Sequence, residues 1–459
     1  MKRITLPVAL AFALSACQKT SPQNDTAAMP NDKLPASEWL QQPTIYEVNI
    51  RQYTPEGTLK AFAEHLPRLE KMGVKILWIM PIQPIGEKNR KGGLGSYYSI
   101  SDYTAVNSHY GTMADFKQVV QEAHRRGMKV ILDWVANHTA YDHHWTEEHP
   151  DWYNHDKQGN IISPVDDWSD VADLNYDKPA LRKAMQEEMK YWVKEADIDG
   201  FRCDVAYMVP MDFWEATRRE LEAIKPMFML AEAEGPEFHA EAFDMTYGWG
   251  LHHLMNDIAA GKKSLSALVA YQEKAQAEYQ PTAKRMYFTT NHDENSWNGT
   301  VYERMGLNHR NFFVLSTTFP MAVPLVYSGQ EAGLNKELAF FEKDSIDWSN
   351  KELVDFYSRM LHLKLRHPAL KNDLKKATFK VVAVDSATGP PGNIIYERQN
   401  GADRLRVSLN FSDEARSLHL PKGETWYNAY TGAAVSSPKD SLIVPAHNFK
   451  ILSNLKVHN

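Results

Sequence analysis

The chain has 459 residues, 43% of them hydrophobic and 11% aromatic, which is ample for a large core and for about three domains, or for one barrel plus smaller units. Lys and Arg number 51 against 58 Asp and Glu, a net charge of −7, and no long basic run occurs. That balance argues against nucleic acid as a partner.

In chain order, Lys2 and Arg3 precede the apolar run ITLPVALAFAL, too short to cross a membrane as a mature helix. The run closes in LSAC, which resembles a bacterial lipoprotein signal. On that reading residues 1–16 are the signal peptide and cleavage leaves Cys17 carrying the lipid. The mature protein is then anchored in the cell envelope, periplasmic or surface-facing. An ordinary secretory signal with an incidental Cys17 is the other reading. Residues 17–38 form a polar tether with three prolines and no apolar periodicity. Cys203 is the one other cysteine, so lipidation of Cys17 leaves no intramolecular disulfide to form. Cys203 reads as a packing residue.

From residue 39 to 369, short apolar runs alternate with amphipathic stretches. Eight runs read as buried parallel strands: TIYEVNI, KILWIMPI, KVILDWV, GFRCDVA, FMLAEA, AFDMTYGW, RMYFTTNHD and MAVPLVYSGQE. Between them lie helices such as TMADFKQVVQEAHRR, where Thr112 and Asp115 have capping-box spacing and Gly127 marks the end. Eight such units predict an α/β fold of the (β/α)8 TIM-barrel type. An open doubly wound sheet is disfavoured, because no glycine-rich phosphate loop follows the first strand.

Residues 139–177, after the third strand, show little periodicity and read as an inserted loop domain. They carry His143, His144, Trp145, His149, Trp152, Tyr153, His155 and Trp168. A loop that long is usually functional, and it leaves the strand C-terminal face, where barrel active sites lie. The histidines lack a clean metal-ligand spacing, so the loop reads chiefly as a stacking or packing wall. Residues 370–459 change to short alternating runs separated by turns, a C-terminal antiparallel β-sandwich with no catalytic content.

Ionisable residues gather at the C-terminal ends of these strands: Asp133 and Asn137-His138 on the third, Arg202 and Asp204 on the fourth, Glu232 on the fifth, and Asn291-His292-Asp293 on the seventh. An apolar core does not assemble such charges without pairing them, since each costs several kcal/mol to bury alone. Neighbouring strands lie about 4.7–4.9 Å apart. Asp204 and Glu232 can therefore approach the ~5–5.5 Å at which two carboxylates support double displacement at an acetal carbon. At that range one stays protonated, and Arg202, two residues before Asp204, favours Asp204 as the charged member. Asp204 is then the nucleophile and Glu232 the acid and base. Asp293 contacts hydroxyls and balances developing positive charge. Asp133 reads equally as a residue that orients Arg202 and as a plain salt-bridge partner.

These segments resemble those of the α-amylase family of glycoside hydrolases, from about Thr44 to the end. DWVANH, GFRCDVA, the strand around Glu232 and FTTNHD match four conserved segments in order, VADLN resembles a fifth, and GSYYSISDY resembles the segment bearing the sugar-stacking tyrosine. The resemblance implies Asp204, Glu232 and Asp293 as catalytic residues and Tyr98, His138, Arg202 and His292 as sugar contacts. It implies a retaining hydrolase of α-1,4-glucosidic bonds in starch-derived glucans or maltooligosaccharides. A glucanotransferase, an α-1,6-glucosidase or a neopullulanase-like enzyme shares the same trio. A non-catalytic glucan-binding lipoprotein is the remote alternative, and it would be expected to lack one of the three acids. No cofactor is required for the chemistry. A structural calcium stays open, because Asn137 matches a ligating position. Two departures stand out. Tyr207 and Met208 replace the family's Lys-His after the nucleophile, which puts the usual leaving-side contacts in doubt. Gly95 replaces the Asp that closes the pocket in exo-acting relatives.

Overall fold

A computed structural model describes residues 42–387, 392–435 and 441–456. The signal, the tether and Cys17 lie outside the described residues.

All eight apolar runs contain strands: β1 Ile45–Val48, β2 Ile76–Ile79, β3 Lys129–Trp134, β4 Gly200–Cys203, β5 Phe228–Ala231, β6 Met245–Tyr247, β7 Lys284–Tyr287 and β8 Ala322–Tyr327. Each pairs in parallel with its sequence neighbours, and β8 pairs with β1, so the sheet closes into a barrel. Alternation along each strand sorts the side chains. Ile45, Trp78, Ile131, Leu230, Met286 and Leu325 fill the interior, while Tyr46, Leu77, Ile79, Val130, Leu132 and Val326 pack outward in the larger core shared with the helices. Gly200 is required where β4 meets β5. A Cβ there would stand 1.9 Å from the Phe228 carbonyl oxygen, so any side chain would push apart the two strands that carry the key acids.

The helix after β2 runs Met113–Arg125 with the full Thr112–Asp115 capping box, and Gly127 follows in the left-handed region at φ 69°. All eight strands are shorter than their sequence runs. β6 keeps three residues of AFDMTYGW. β7 stops at Tyr287, because Asn291 turns the chain into the helix His292–Trp297 by accepting the Glu294 N–H at 2.8 Å. His292 and Asp293 therefore stand on a helical turn, not on a strand.

The segment after β3 contributes an antiparallel pair, His138–Ala140 with Val171–Asp173. Its aromatic residues mostly pack on one another: Trp145 lies edge-on to Trp152 with ring centroids 5.2 Å apart, and His143 lies against both Trp145 and Tyr103. The C-terminal region holds a six-stranded and a two-stranded antiparallel sheet. Ile395, Trp426 and Leu452 of the first meet Leu418 and Val444 of the second in one core, the arrangement of a sandwich. The final apolar run splits into Ser441–Val444 and Asn448–Ser453. Pro445 lies in that break, and it lacks the N–H a ladder needs.

Candidate active site

Strand register assembles the site around one guanidinium. In the β3–β4 ladder Asp133 stands opposite Arg202, and in the β4–β5 ladder Cys203 stands opposite Ala231. Asp204 and Glu232 come immediately after those strand ends. Arg202 Nη1 donates to Asp133 Oδ1 at 2.8 Å and to Asp204 Oδ1 at 2.7 Å. Its Nη2 lies 2.8 Å from Glu232 Oε2, a charge contact without hydrogen-bond alignment. The nearest oxygens of Asp204 and Glu232 are thus separated by at most one guanidinium fork and two short contacts. Nε donates to the Tyr247 hydroxyl at 3.0 Å. The guanidinium carbon lies 5.0 Å from the Trp78 ring centroid, 5.6 Å from that of Tyr247 and 5.8 Å from that of Tyr98, an aromatic cage that favours the cation.

Arg202 is shared by three acids: contacts with Asp204 and Asp133 agree with the sequence reading, whereas the contact with Glu232 was not anticipated. Because β3 and β5 flank β4, its planar fork reaches a carboxylate from each neighbour as well as its own. Asp133 is more than a plain salt-bridge partner. It is fully buried and also accepts from Trp78 Nε1 at 3.0 Å and from the Tyr98 hydroxyl at 3.1 Å.

Burial dominates the titration of the pair. It pushes Asp204 up to about 6 and Glu232 up to about 7, with Arg202 opposing in both cases. Asp204 receives a hydrogen bond from Arg202, which favours its ionised form. Glu232 has the charge contact and the Val205 N–H at 2.7 Å, and the charges of Asp204 and Asp293 raise it further. Glu232 is therefore the better proton holder. Val205 is held at φ 35°, ψ 46°, a left-handed conformation that a β-branched residue rarely adopts. This strained residue follows Asp204 and aims its N–H at Glu232.

Tyr98 links His292 to Asp133: its hydroxyl, which donates to Asp133, also lies 2.7 Å from His292 Nε2, and the two rings stack with centroids 5.4 Å apart. Burial disfavours charge on His292, but Asp293 and Glu47 outweigh it and raise the imidazole to about 9. Asp293 Oδ1 is 3.3 Å from His292 Nε2, and its side chain is 36% exposed. His138 joins this network through a hydrogen bond with the Tyr98 backbone. Its Nδ1 faces Asn137 at 3.3 Å, its ring meets Trp168 edge-on at 5.6 Å, and burial lowers it to about 3, so it is neutral.

Three members were missed in the sequence. Glu47 pairs with His292 Nδ1 at 2.5 Å, and Trp78 and Tyr247 hold Asp133 and Arg202. Each looks like an ordinary core position within an apolar run, and only the lone acid in TIYEVNI was a signal. Beside Glu232 opens a cavity of about 510 Å³, lined also by Tyr207, Ala233, Glu234, Trp249, His253 and Glu294.

Calcium takes six to eight oxygen ligands, and Asn137 is the position the resemblance associates with it. The Asn137 amide is directed at His138, and Asp173 accepts from Asn154 at 2.7 Å. Among the described residues no three His, Cys, Asp or Glu cluster to hold a metal ion.

A family model described as the α-amylase catalytic domain matches residues 19–164 and 152–380. The chain is 28% identical to an α-amylase of Haloarcula japonica over 84% of its own length, and spans 58% of the length of that relative. It is 26% identical to a maltogenic α-amylase of Bacillus acidopullulyticus, covering 78% of this chain and 63% of the relative. Among solved structures, an α-amylase from Lactobacillus plantarum superposes with a TM-score of 0.80 at 29% identity, over 90% of this chain and 99% of its own.

Proposed function

The chain belongs to the α-amylase family, and from that premise we propose that it hydrolyses α-1,4-glucosidic bonds in starch-derived glucans or maltooligosaccharides by double displacement. The observation that carries this reading is the shared grip of Arg202 on Asp204 and Glu232 at adjoining strand ends. In the first step an Asp204 oxygen attacks the anomeric carbon as the glycosidic C–O bond breaks, and Glu232 gives its proton to the departing oxygen. A glycosyl ester on Asp204 results. In the second step Glu232, now ionised, takes a proton from water, whose oxygen attacks the same carbon and releases Asp204. Two inversions retain the α configuration. Asp293 and the Tyr98–His292 pair face the sugar, where a carboxylate opposes the charge of an oxocarbenium-like transition state. No cofactor enters either step.

An internal cut is favoured over a blocked pocket. Gly95 holds φ 75°, and a Cβ there would meet Ile85 Cγ2 at 2.8 Å, so the acid that closes exo-acting sites has no room at this position. We further propose that Cys17 carries a lipid that tethers the enzyme in the cell envelope, on the strength of LSAC and the polar segment after it.

The test is turnover of maltoheptaose by purified Asp204→Asn and Glu232→Gln proteins. Each is expected to lose at least about a thousandfold in kcat while keeping its circular dichroism spectrum. NMR of the first product formed by the unaltered enzyme should show the α anomer. Near-normal turnover in either variant, or an initial β anomer, would refute the assignment.

A further inference from the structure

Glu47 is fully buried on β1 and, by alternation, shares the inward face of that strand with Ile45. Packing alone gives an apolar strand no use for a carboxylate there. Its Oε1 lies 2.5 Å from His292 Nδ1, while its Oε2 is buried with no hydrogen-bond partner among the described residues. A proton on Oε2 would donate to nothing, whereas the same proton on Nδ1 is used in the short contact. The opposite edge of the ring points the same way. The Tyr98 hydroxyl gives its proton to Asp133 Oδ2 at 3.1 Å, so its oxygen is left to accept from His292 Nε2, 2.7 Å away. Asp293 Oδ1 is 3.3 Å from the same nitrogen. Both ring nitrogens face acceptors, and only an imidazolium donates from both.

The surrounding charges agree with that form. Burial disfavours charge on the ring, Asp293 from its own helix and Glu47 from β1 favour it, and Arg202 from β4 opposes it. Asp133 of β3 faces it across the Tyr98 hydroxyl, and Trp78 of β2 meets it edge-on at 5.8 Å. Tyr247 of β6 and Tyr327 of β8 face Glu47, and burial keeps both phenols neutral. Of the two acids beside the ring, Asp293 is 36% exposed and screened by water, whereas Glu47 is sealed from it. We propose that Glu47 is a positioning residue of the hydrolase, holding His292 as an imidazolium so that Nε2 donates to Tyr98 and pairs with Asp293. Its place in catalysis rests on the hydrolase reading above, while the charge itself rests on the contacts of Glu47. A neutral ring has one N–H, so it would give up its bond either to position 47 or to Tyr98, and with the latter its link to Asp133 and Arg202.

The experiment uses Glu47→Gln in the full chain, because glutamine keeps the size and an acceptor oxygen but carries no charge. The first readout is 15N NMR of histidine-labelled protein, with His292→Asn identifying the His292 signals. At pH 7.5 the unaltered protein should show both His292 nitrogens protonated, and Glu47→Gln a neutral ring. The second readout is kcat/KM for maltoheptaose at pH 7.5 divided by its value at pH 5.5. A ring returned to the ordinary histidine value of about 6.5 is charged in about one molecule in eleven at the higher pH and in most at the lower. That quotient should therefore fall about tenfold relative to the unaltered enzyme. A packing role would lower both rates by one factor and leave the quotient where it was. An unchanged quotient in a folded Glu47→Gln protein overturns the proposal. So does a neutral His292 in the unaltered protein at pH 7.5, whether or not the variant folds. Failure of the unaltered protein to cleave maltoheptaose would instead overturn the hydrolase reading, and the NMR result would still decide the charge.

Discussion

Arg202 decides more at this site than any other side chain, because three carboxylates converge on it. Were Asp204 and Glu232 both ionised with no cation between them, burial would make the site untenable. With Arg202 there, burial still raises both acids, to about 6 and about 7. The signs yield a pH profile. Catalysis needs Asp204 ionised, so kcat/KM should climb as pH rises through about 6. It needs Glu232 protonated, so kcat/KM should fall as pH rises through about 7. A bell-shaped profile of maltoheptaose hydrolysis with its summit between those values is expected. A plateau extending past pH 8 would contradict the assignment of Glu232 as proton donor. The residues legible in advance were those whose charge clashes with an apolar run, such as Arg202 and Asp204 in GFRCDVA. Tyr247 was hidden because a tyrosine in a buried strand looks like packing until its hydroxyl is seen to accept from Arg202.

At the scale of elements, local chemistry predicted well wherever the interaction spans a few residues. Thr112 accepts the Asp115 N–H at 3.2 Å and Asp115 accepts the Thr112 N–H at 2.9 Å, as the spacing implied. Thr112→Ala should therefore cost about 1 kcal/mol in urea unfolding, with maltoheptaose turnover retained, since the cap lies outside the catalytic network. A loss below about 0.3 kcal/mol would mean that the exposed cap is replaced by water. Strand ends were read less well. FTTNH looked like a continuation of β7, yet Asn291 caps a helix there. Asn serves extended and capping positions alike, and the choice depends on which N–H groups lie ahead of it. That same turn is what brings His292 under Tyr98.

Across the whole molecule, barrel closure sets Glu47 of β1 against His292 beyond β7, 245 positions away in the chain. It also stations the insertion after β3 over the strand C-terminal face, where Trp168 borders His138. The C-terminal sandwich is fastened to the barrel by buried polar links: the Tyr396 hydroxyl lies 2.6 Å from Thr318 Oγ1, and Arg398 donates to the Thr318 carbonyl at 3.0 Å. The proposed envelope tether belongs to this scale too. Expressed in bacteria, the full chain should fractionate with membranes and Cys17→Ser should not be lipidated, which globomycin treatment and metabolic labelling with palmitate can check. Equal labelling of both forms would exclude the anchor at Cys17.

By itself the sequence determined the strand count, the parallel barrel, the appended sandwich and the acids at the rim, because each follows from short-range periodicity or from a charge placed where only pairing could sustain it. Only the tertiary structure decided that one guanidinium is shared among Asp133, Asp204 and Glu232, that Glu47 supports His292, and that Tyr207 and Trp249 border the same cavity. Those outcomes depend on interstrand register and on the curvature of the closed sheet, which bring together side chains that no local pattern relates.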